Sequence, residues 1–163
     1  MADIDQRAFR DALGRFPTGV TVVTAHDGDA DAVAMTVSSF NAVSLDPPLV
    51  LFSVSRTAPS LPRLLAADHF GISILSHDQH ELSSRFAGRV PDKWLGVAAA
   101  RGETGCPLID PCLATFECAP FAVHEGGDHL IVVGRVLRFA ALPDGAPLVF
   151  FRGRYHAIAE QAI

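Results

Sequence analysis

Lysine is nearly absent from this chain: Lys93 is the single one among 13 basic residues, set against 18 carboxylates and a formal net charge of -5. The arginines are scattered, so no basic stripe exists to neutralise a run of phosphates, and nucleic acid is excluded as an expected partner. Long apolar runs are missing too. None approaches the roughly 18 to 20 residues of a membrane span, and residues 1–15 are charged, without the apolar core of a signal peptide. A cytosolic protein away from membranes is expected. Cysteine is scarce, with Cys106, Cys112 and Cys118 only, and an odd count without a signal peptide fits a reducing compartment. Their spacing of six, continued by His124, is too wide for the paired ligands of structural zinc; buried apolar thiols and no metal are expected. No Gly-x-Gly-x-x-Gly follows a strand, and neither Gly-x-x-x-x-Gly-Lys nor Gly-x-Ser-x-Gly occurs, which weakens dinucleotide-fold, nucleoside-triphosphatase and α/β-hydrolase readings together.

What is present is an apolar fraction of 49% with 19% charged residues, the balance of a folded chain. A length of 163 residues gives room for one core, and a single domain over 1–163 is expected. Ala8, Phe9, Ala12 and Leu13 recur at helical spacing within 5–15, and Phe16-Pro17-Thr18-Gly19 ends that helix. Residues 20–24 are a β-branched run, His26-Asp27-Gly28-Asp29 supplies a turn, and 33–43 resumes the extended pattern as a hairpin. Leu45-Asp46-Pro47-Pro48 interrupts the ladder, and 49–54 reads as a strand buried on both faces. Ser60 and Pro62 open a short helix over 60–65. Residues 70–75 read as strand and 79–86 as helix. Four glycines and two prolines make 87–110 a long excursion outside the core, of the kind that covers a site or meets a partner. Extended runs over 112–124 and 129–139 are joined at Glu125-Gly126-Gly127-Asp128, whose paired glycines supply the positive backbone angles of a tight turn. The chain closes with strands at 148–151 and 155–158. Some seven strands and two or three short helices, without repeat or linker, fit a mainly β fold, a closed antiparallel barrel rather than a parallel sheet.

Three polar interruptions stand in otherwise apolar strands. Met35-Thr36-Val37-Ser38-Ser39-Phe40-Asn41 carries small hydroxyl residues that would let a flat ring approach the backbone; an edge strand with solvated hydroxyls would give the same pattern. Ser53-Val54-Ser55-Arg56-Thr57-Ala58-Pro59-Ser60 combines hydroxyls, an arginine and a helix start, which favour an anion; a capped helix with a surface arginine is the alternative. Gly127-Asp128-His129 sets an imidazole at a hairpin mouth, suited to a substrate amide or simply solvated.

Phe16-Pro17-Thr18-Gly19-Val20, Thr36-Val37-Ser38-Ser39 with Ser44-Leu45-Asp46-Pro47-Pro48, Arg85-Phe86-Ala87-Gly88, Gly127-Asp128-His129 and Gly134-Arg135-Val136 together resemble the flavin reductase-like family over about residues 9–158. Members are the small reductase components of two-component flavin monooxygenases, on an FMN-binding split β-barrel. The resemblance implies that Thr36, Val37, Ser38 and Ser39 line the isoalloxazine ring, while Ser53, Val54, Ser55, Arg56, Thr57 and Ser60 lie near the ribityl phosphate. It places Phe86, Ala87 and Gly88 over the flavin, His129 against the nicotinamide and Tyr155 at the edge of the site. Ala58-Pro59 departs from the more polar residues of the pattern, and FMN or FAD, like NADH or NADPH, stay open. A homodimer with the flavin near the subunit interface, and a separate monooxygenase partner, are implied as well.

The implied chemistry asks little acid–base work of the protein, because a flavin itself accepts hydride. Positioning the nicotinamide is the task, and the backbone amides of Val37 to Ser39 are expected to stabilise charge on the reduced pyrimidine edge. Two other functions compete. One is a flavoprotein oxidase or oxygenase acting directly on a small substrate. The other is a non-catalytic flavin or haem module, with His69, His77, His80 or His156 as axial ligand.

Overall fold

In the computed structural model, residues 4–26 and 32–158 are described. The chain begins with α1, Gln6–Leu13, where the Asp5 carboxylate accepts the Arg7 and Ala8 amides at 2.8 and 3.2 Å, satisfying donors that a helix start leaves open. The helix forms as its spacing foretells, yet none of its residues is buried and Phe9 and Leu13 remain exposed.

The strands follow as β1 (Thr18–Gly19), β2 (Thr21–Ala25), β3 (Val33–Val37), β4 (Asn41–Leu45), β5 (Pro48–Ser55), β6 (Phe70–Ile74), β7 (Ala99–Arg101), β8 (Pro107–Ile109), β9 (Ala114–Gly126), β10 (His129–Ala141), β11 (Val149–Phe151) and β12 (Arg154–His156). Between them lie α2 (Leu61–Ala66), a 3-10 turn at His77–Gln79 and α3 (His80–Ala87). Seven strands make one antiparallel sheet in the order β3-β2-β6-β9-β10-β5-β4, β1 joins β11 and β12, and β7 pairs β8. The fold is mainly β with few short helices. Among the described residues the ladder of the large sheet is open, with β3 and β4 at its two edges. A side chain bridges toward β5 beyond the end of β3: Ser39 Oγ accepts the Ser53 amide at 2.9 Å.

Strand periodicity divides the interior into two clusters. Val23 and Ala25 point into a cluster with Phe52, Phe70, Ile72, Cys118 and Val132. Val20 and Val22 point the other way, to Leu75, Phe86, Ile109 and Leu148. All of β2 is therefore buried, as alternation requires of a strand covered on both faces. Its polar side chains are satisfied within the fold: Thr21 donates to Val37 O at 3.4 Å and Thr24 to Pro107 O.

Several expectations change in three dimensions. The extended run 33–43 is two strands, because the chain leaves β2 after Val37 and re-enters the sheet at the far edge beside β5. The turn residues Asp27, Gly28 and Asp29 lie outside the described residues. β5 is buried on one face only: Val50, Phe52 and Val54 are inside while Leu49, Leu51 and Ser53 are half-buried, so its apolar run hid an alternation. Ser60 holds the N-cap position of α2 without a capping bond from its side chain. The excursion 87–110 contributes to the interior through Cys106, Leu108 and Ile109, since the β7–β8 hairpin folds back. At the β9–β10 turn, Gly126 belongs to the ladder opposite His129 and Gly127 alone takes a positive φ, of 75°, a two-residue loop with glycine first. The three thiols are free and buried, and burial pushes the Cys118 thiol up to about 12.

Candidate functional site

A cleft of about 930 Å³ opens where the end of β3, the loop after β5, the end of α3 and the start of β10 converge. All the candidates except Arg56 and Tyr155 line it: Thr36, Val37, Ser38 and Ser39; Ser53, Val54, Ser55, Thr57 and Ser60; Phe86, Ala87 and Gly88; and His129. Residues distant in sequence meet here because β5 pairs with β10, setting Ser55 opposite His129, and because α3 packs on β3, where the Thr36 hydroxyl donates to Ser83 O at 2.7 Å.

The hydroxyls divide into those committed to the fold and those facing the cleft. Thr36 and Ser39 hold neighbouring elements together. Ser55 and Thr57 bond each other at 3.0 Å, closing the turn that leads into α2. Val37 is the last ladder residue of β3, paired with Thr21, so Ser38 and Ser39 lie beyond the ladder and their amides carry no strand partner.

The walls also hold residues that sequence reasoning did not single out: Arg63, Arg89 and Lys93, beside Met35, Val90 and Pro91. Lys93 Nζ donates to Phe86 O at 3.0 Å, and burial lowers its pKa. Trp94 Nε1 donates to Ala32 O at 2.7 Å, the Trp94 ring meets Phe86 edge-on at 5.1 Å, and Arg85 donates to Leu95 O at 2.6 Å. Three side-chain anchors thus strap residues 85–95 beside the cleft. The available signal was the one lysine of the chain, next to the single tryptophan and just after Phe86-Ala87-Gly88. No carboxylate lines the cleft among the described residues, although the chain is acidic overall.

His129 is half exposed, with Nδ1 2.7 Å from Asp128 Oδ1. That hydrogen bond, aided by attraction to the imidazole, holds the Asp128 carboxyl below the ordinary range. Arg56 stands outside the cleft, with Nε donating to Gly127 O at 2.9 Å and its terminus paired with Glu125. Tyr155 stands outside as well: its hydroxyl meets Ser83 Oγ at 2.8 Å, and its ring packs against Phe150 beside the second cluster. His69, His77, His80 and His156 do not line the cleft.

The arrangement offers hydroxyl, amide and cationic donors around an apolar floor, a setting for a large, flat, anionic ligand. Comparison with known proteins gives this class a family. The model described as flavin reductase like domain matches residues 13–159. FMN reductase (NADH) SmoA of Agrobacterium fabrum is 47% identical over 159 residues, covering 96% of this chain and 88% of the relative. The flavin-dependent monooxygenase reductase subunit HsaB of Mycobacterium tuberculosis is 40% identical over 159 residues, covering 96% and 84%. Among solved structures, the NADH:FAD oxidoreductase SgcE6 of Streptomyces globisporus, in complex with NAD and FAD fragments, matches with a TM-score of 0.92 at 38% identity, covering 100% of this chain and 99% of that one. The chain belongs to the flavin reductase-like domain family.

Proposed function

We propose that this chain is a flavin reductase that uses a nicotinamide dinucleotide to reduce FMN or FAD and supplies the reduced flavin to a separate monooxygenase. The observation that carries this is the cleft, whose lining brings Arg63, Arg89 and Lys93 together with several hydroxyls and the His129 imidazole, a donor set that fits a phosphate-bearing flavin and dinucleotide. NADH is the reductant in the names of two relatives, which favours it here.

The flavin supplies the redox chemistry when bound. The Ser38 and Ser39 amides act as fixed donors toward negative charge that develops on the ligand, without reorganising at the moment of reaction. Ser53, Ser55, Thr57 and Ser60 hold the ribityl phosphate end, and Phe86, Ala87 and Gly88 cover the ring. His129 binds the nicotinamide carboxamide through Nε2, with Nδ1 held by Asp128. Its role is orientation.

The chain reads as one domain whose sheet curls into a split barrel, with the Ser39–Ser53 bridge at the seam. Val43 and Leu45 on β4 and Leu137 and Phe139 on β10 are exposed, which supports a homodimer that covers them. The free, buried thiols suit a reducing cytosol.

The test is dinucleotide oxidation by purified protein with FMN, FAD or riboflavin added. Oxidation that depends on added flavin is expected, with His129→Ala raising KM for the dinucleotide about tenfold, the scale of one hydrogen bond to a polar ligand, at unchanged flavin affinity. A flavin potential and affinity untouched by Ser39→Pro would defeat the role given to that segment. A tightly held flavin that oxidises a small substrate directly would replace this function with an oxidase.

A further inference from the structure

Every residue from Ser53 to Ser60 lines the cleft except Arg56. Its backbone amide donates to Asp128 O at 3.0 Å, extending the β5–β10 pairing one step past Ser55 and His129. Its side chain runs along the outside of the hairpin, where Nε donates to Gly127 O at 2.9 Å and the terminal nitrogen pairs with Glu125. One residue of the cofactor-side loop therefore grips the hairpin end that carries His129 at three residues, Glu125, Gly127 and Asp128. The turn has little packing of its own: nothing lies within 4 Å of where a Cβ on Gly127 would stand. A half-exposed imidazole on such a turn points wherever the turn points.

The geometry points to Arg56 as a positioning residue for the dinucleotide, bracing the Gly127-Asp128 turn so that the His129 imidazole is held over the cleft. This rests on the reading of His129 as the nicotinamide-binding residue. An exposed Arg–Glu pair contributes little stability by itself. What matters here is the planar guanidinium fork, which meets a backbone carbonyl and a carboxylate together and so fixes direction as well as distance. With those donors committed to the turn, Arg56 is not a phosphate ligand.

Steady-state kinetics on Arg56→Ala, His129→Ala and the double variant, with NADH and FMN, test this. Arg56→Ala is expected to raise KM for NADH about tenfold, the size of one charge-assisted hydrogen bond, with kcat and the dissociation constant for FMN unchanged. The double variant is expected to be no worse than His129→Ala, so the whole effect of Arg56→Ala appears as coupling between the two residues. Arg56→Lys keeps a charge opposite Glu125 but lacks the fork, and recovers only part of the loss. Additive effects would mean that Arg56 meets the dinucleotide itself, and weaker FMN binding that it holds the cofactor; either overturns the proposal, as does an unchanged KM in Arg56→Ala. If His129→Ala leaves KM unaltered, the reading beneath the proposal fails instead. Amide hydrogen exchange over residues 126–129 then separates the two: faster exchange in Arg56→Ala sustains the brace itself, and unchanged exchange removes it.

Discussion

Glu117 and the cleft are two places where this fold concentrates polar groups, and they are organised in different ways. Glu117 is a buried carboxylate in the middle of the large sheet, between Gly71 on β6 and Arg138 on β10. It accepts the Glu103 amide at 3.2 Å, the Thr104 amide at 2.6 Å and the Thr104 hydroxyl at 2.5 Å, tying down the loop between β7 and β8. Arg138 in turn pairs with Glu103 at 2.7 Å. Each partner there is used, and nothing is left over for a ligand. The cleft is organised differently, with hydroxyls and the cations Arg63, Arg89 and Lys93 grouped around open space and no carboxylate among its described lining residues. A buried charge with its partners supplied by the chain specifies structure, whereas polar groups gathered around an open cavity suit a ligand.

If that contrast is right, substitutions at the two places fail in different assays. Glu117→Ala leaves three part-buried donors without an acceptor and is expected to cost about 3 kcal/mol of stability, roughly 1 for each, read as a lower urea midpoint at constant slope, with KM values unchanged. The same group makes stability fall in acid. Burial alone raises the Glu117 pKa, but the Thr104 hydroxyl, the Thr104 and Glu103 amides and Arg138 outweigh it and set it below its ordinary value. A carboxyl depressed in the folded state stabilises at any pH above its unfolded pKa, and that contribution is lost as pH falls through the folded one. The wild-type urea midpoint should therefore drop over that acid window, and Glu117→Ala should show a smaller drop.

Gly134→Ala is the next largest effect. A Cβ there would lie 2.4 Å from the Phe70 ring and 3.1 Å from Cys118, overpacking expected to cost about 1–3 kcal/mol by thermal unfolding, again without altering KM. Lys93→Glu sharpens the contrast from the other side. It puts an acid in place of a cation in the cleft wall, and FMN should bind about tenfold more weakly, close to 1.4 kcal/mol, in a fluorescence titration that Lys93→Met changes less. Smallest is the response to salt: raising ionic strength should weaken FMN and NADH binding modestly, since the cations of an open cleft are partly screened, while the Glu117 contribution to stability stays nearly constant. Equal salt sensitivity in both assays would break the comparison.

Much of the fold was legible because local pattern governs it. The α1 periodicity, the β-branched run of β2 and the Gly126-Gly127-Asp128 turn each act within a few residues, and each formed close to its expected place. The misreadings share another cause. The interruption at Ser38 looked like a polar stretch of one strand, yet it is where the chain crosses between two sheet edges, a fact of pairing. Arg56 belongs to a phosphate-like motif in sequence, and its neighbours do line the cleft; its own side chain was redirected by Glu125 and Gly127, about 70 positions away along the chain. Arg63, Arg89 and Lys93 went unnoticed because a cation in a loop carries no sign of the wall it will face. Glu117 was invisible for the same reason, since its partners come from a hairpin read as lying outside the core.

By itself, the order of residues determined the class of fold, the reduced state expected of the thiols, and the family to which the short motifs belong, because turn chemistry, alternation and composition act locally and need no partner. The tertiary structure alone decided which hydroxyls are spent on holding strands together, which cations meet in the cleft, and that one arginine grips the histidine turn instead of the site. Those outcomes depend on distance and direction between segments far apart in the chain, and only the pairing of β5 with β10 and the packing of α3 on β3 set them.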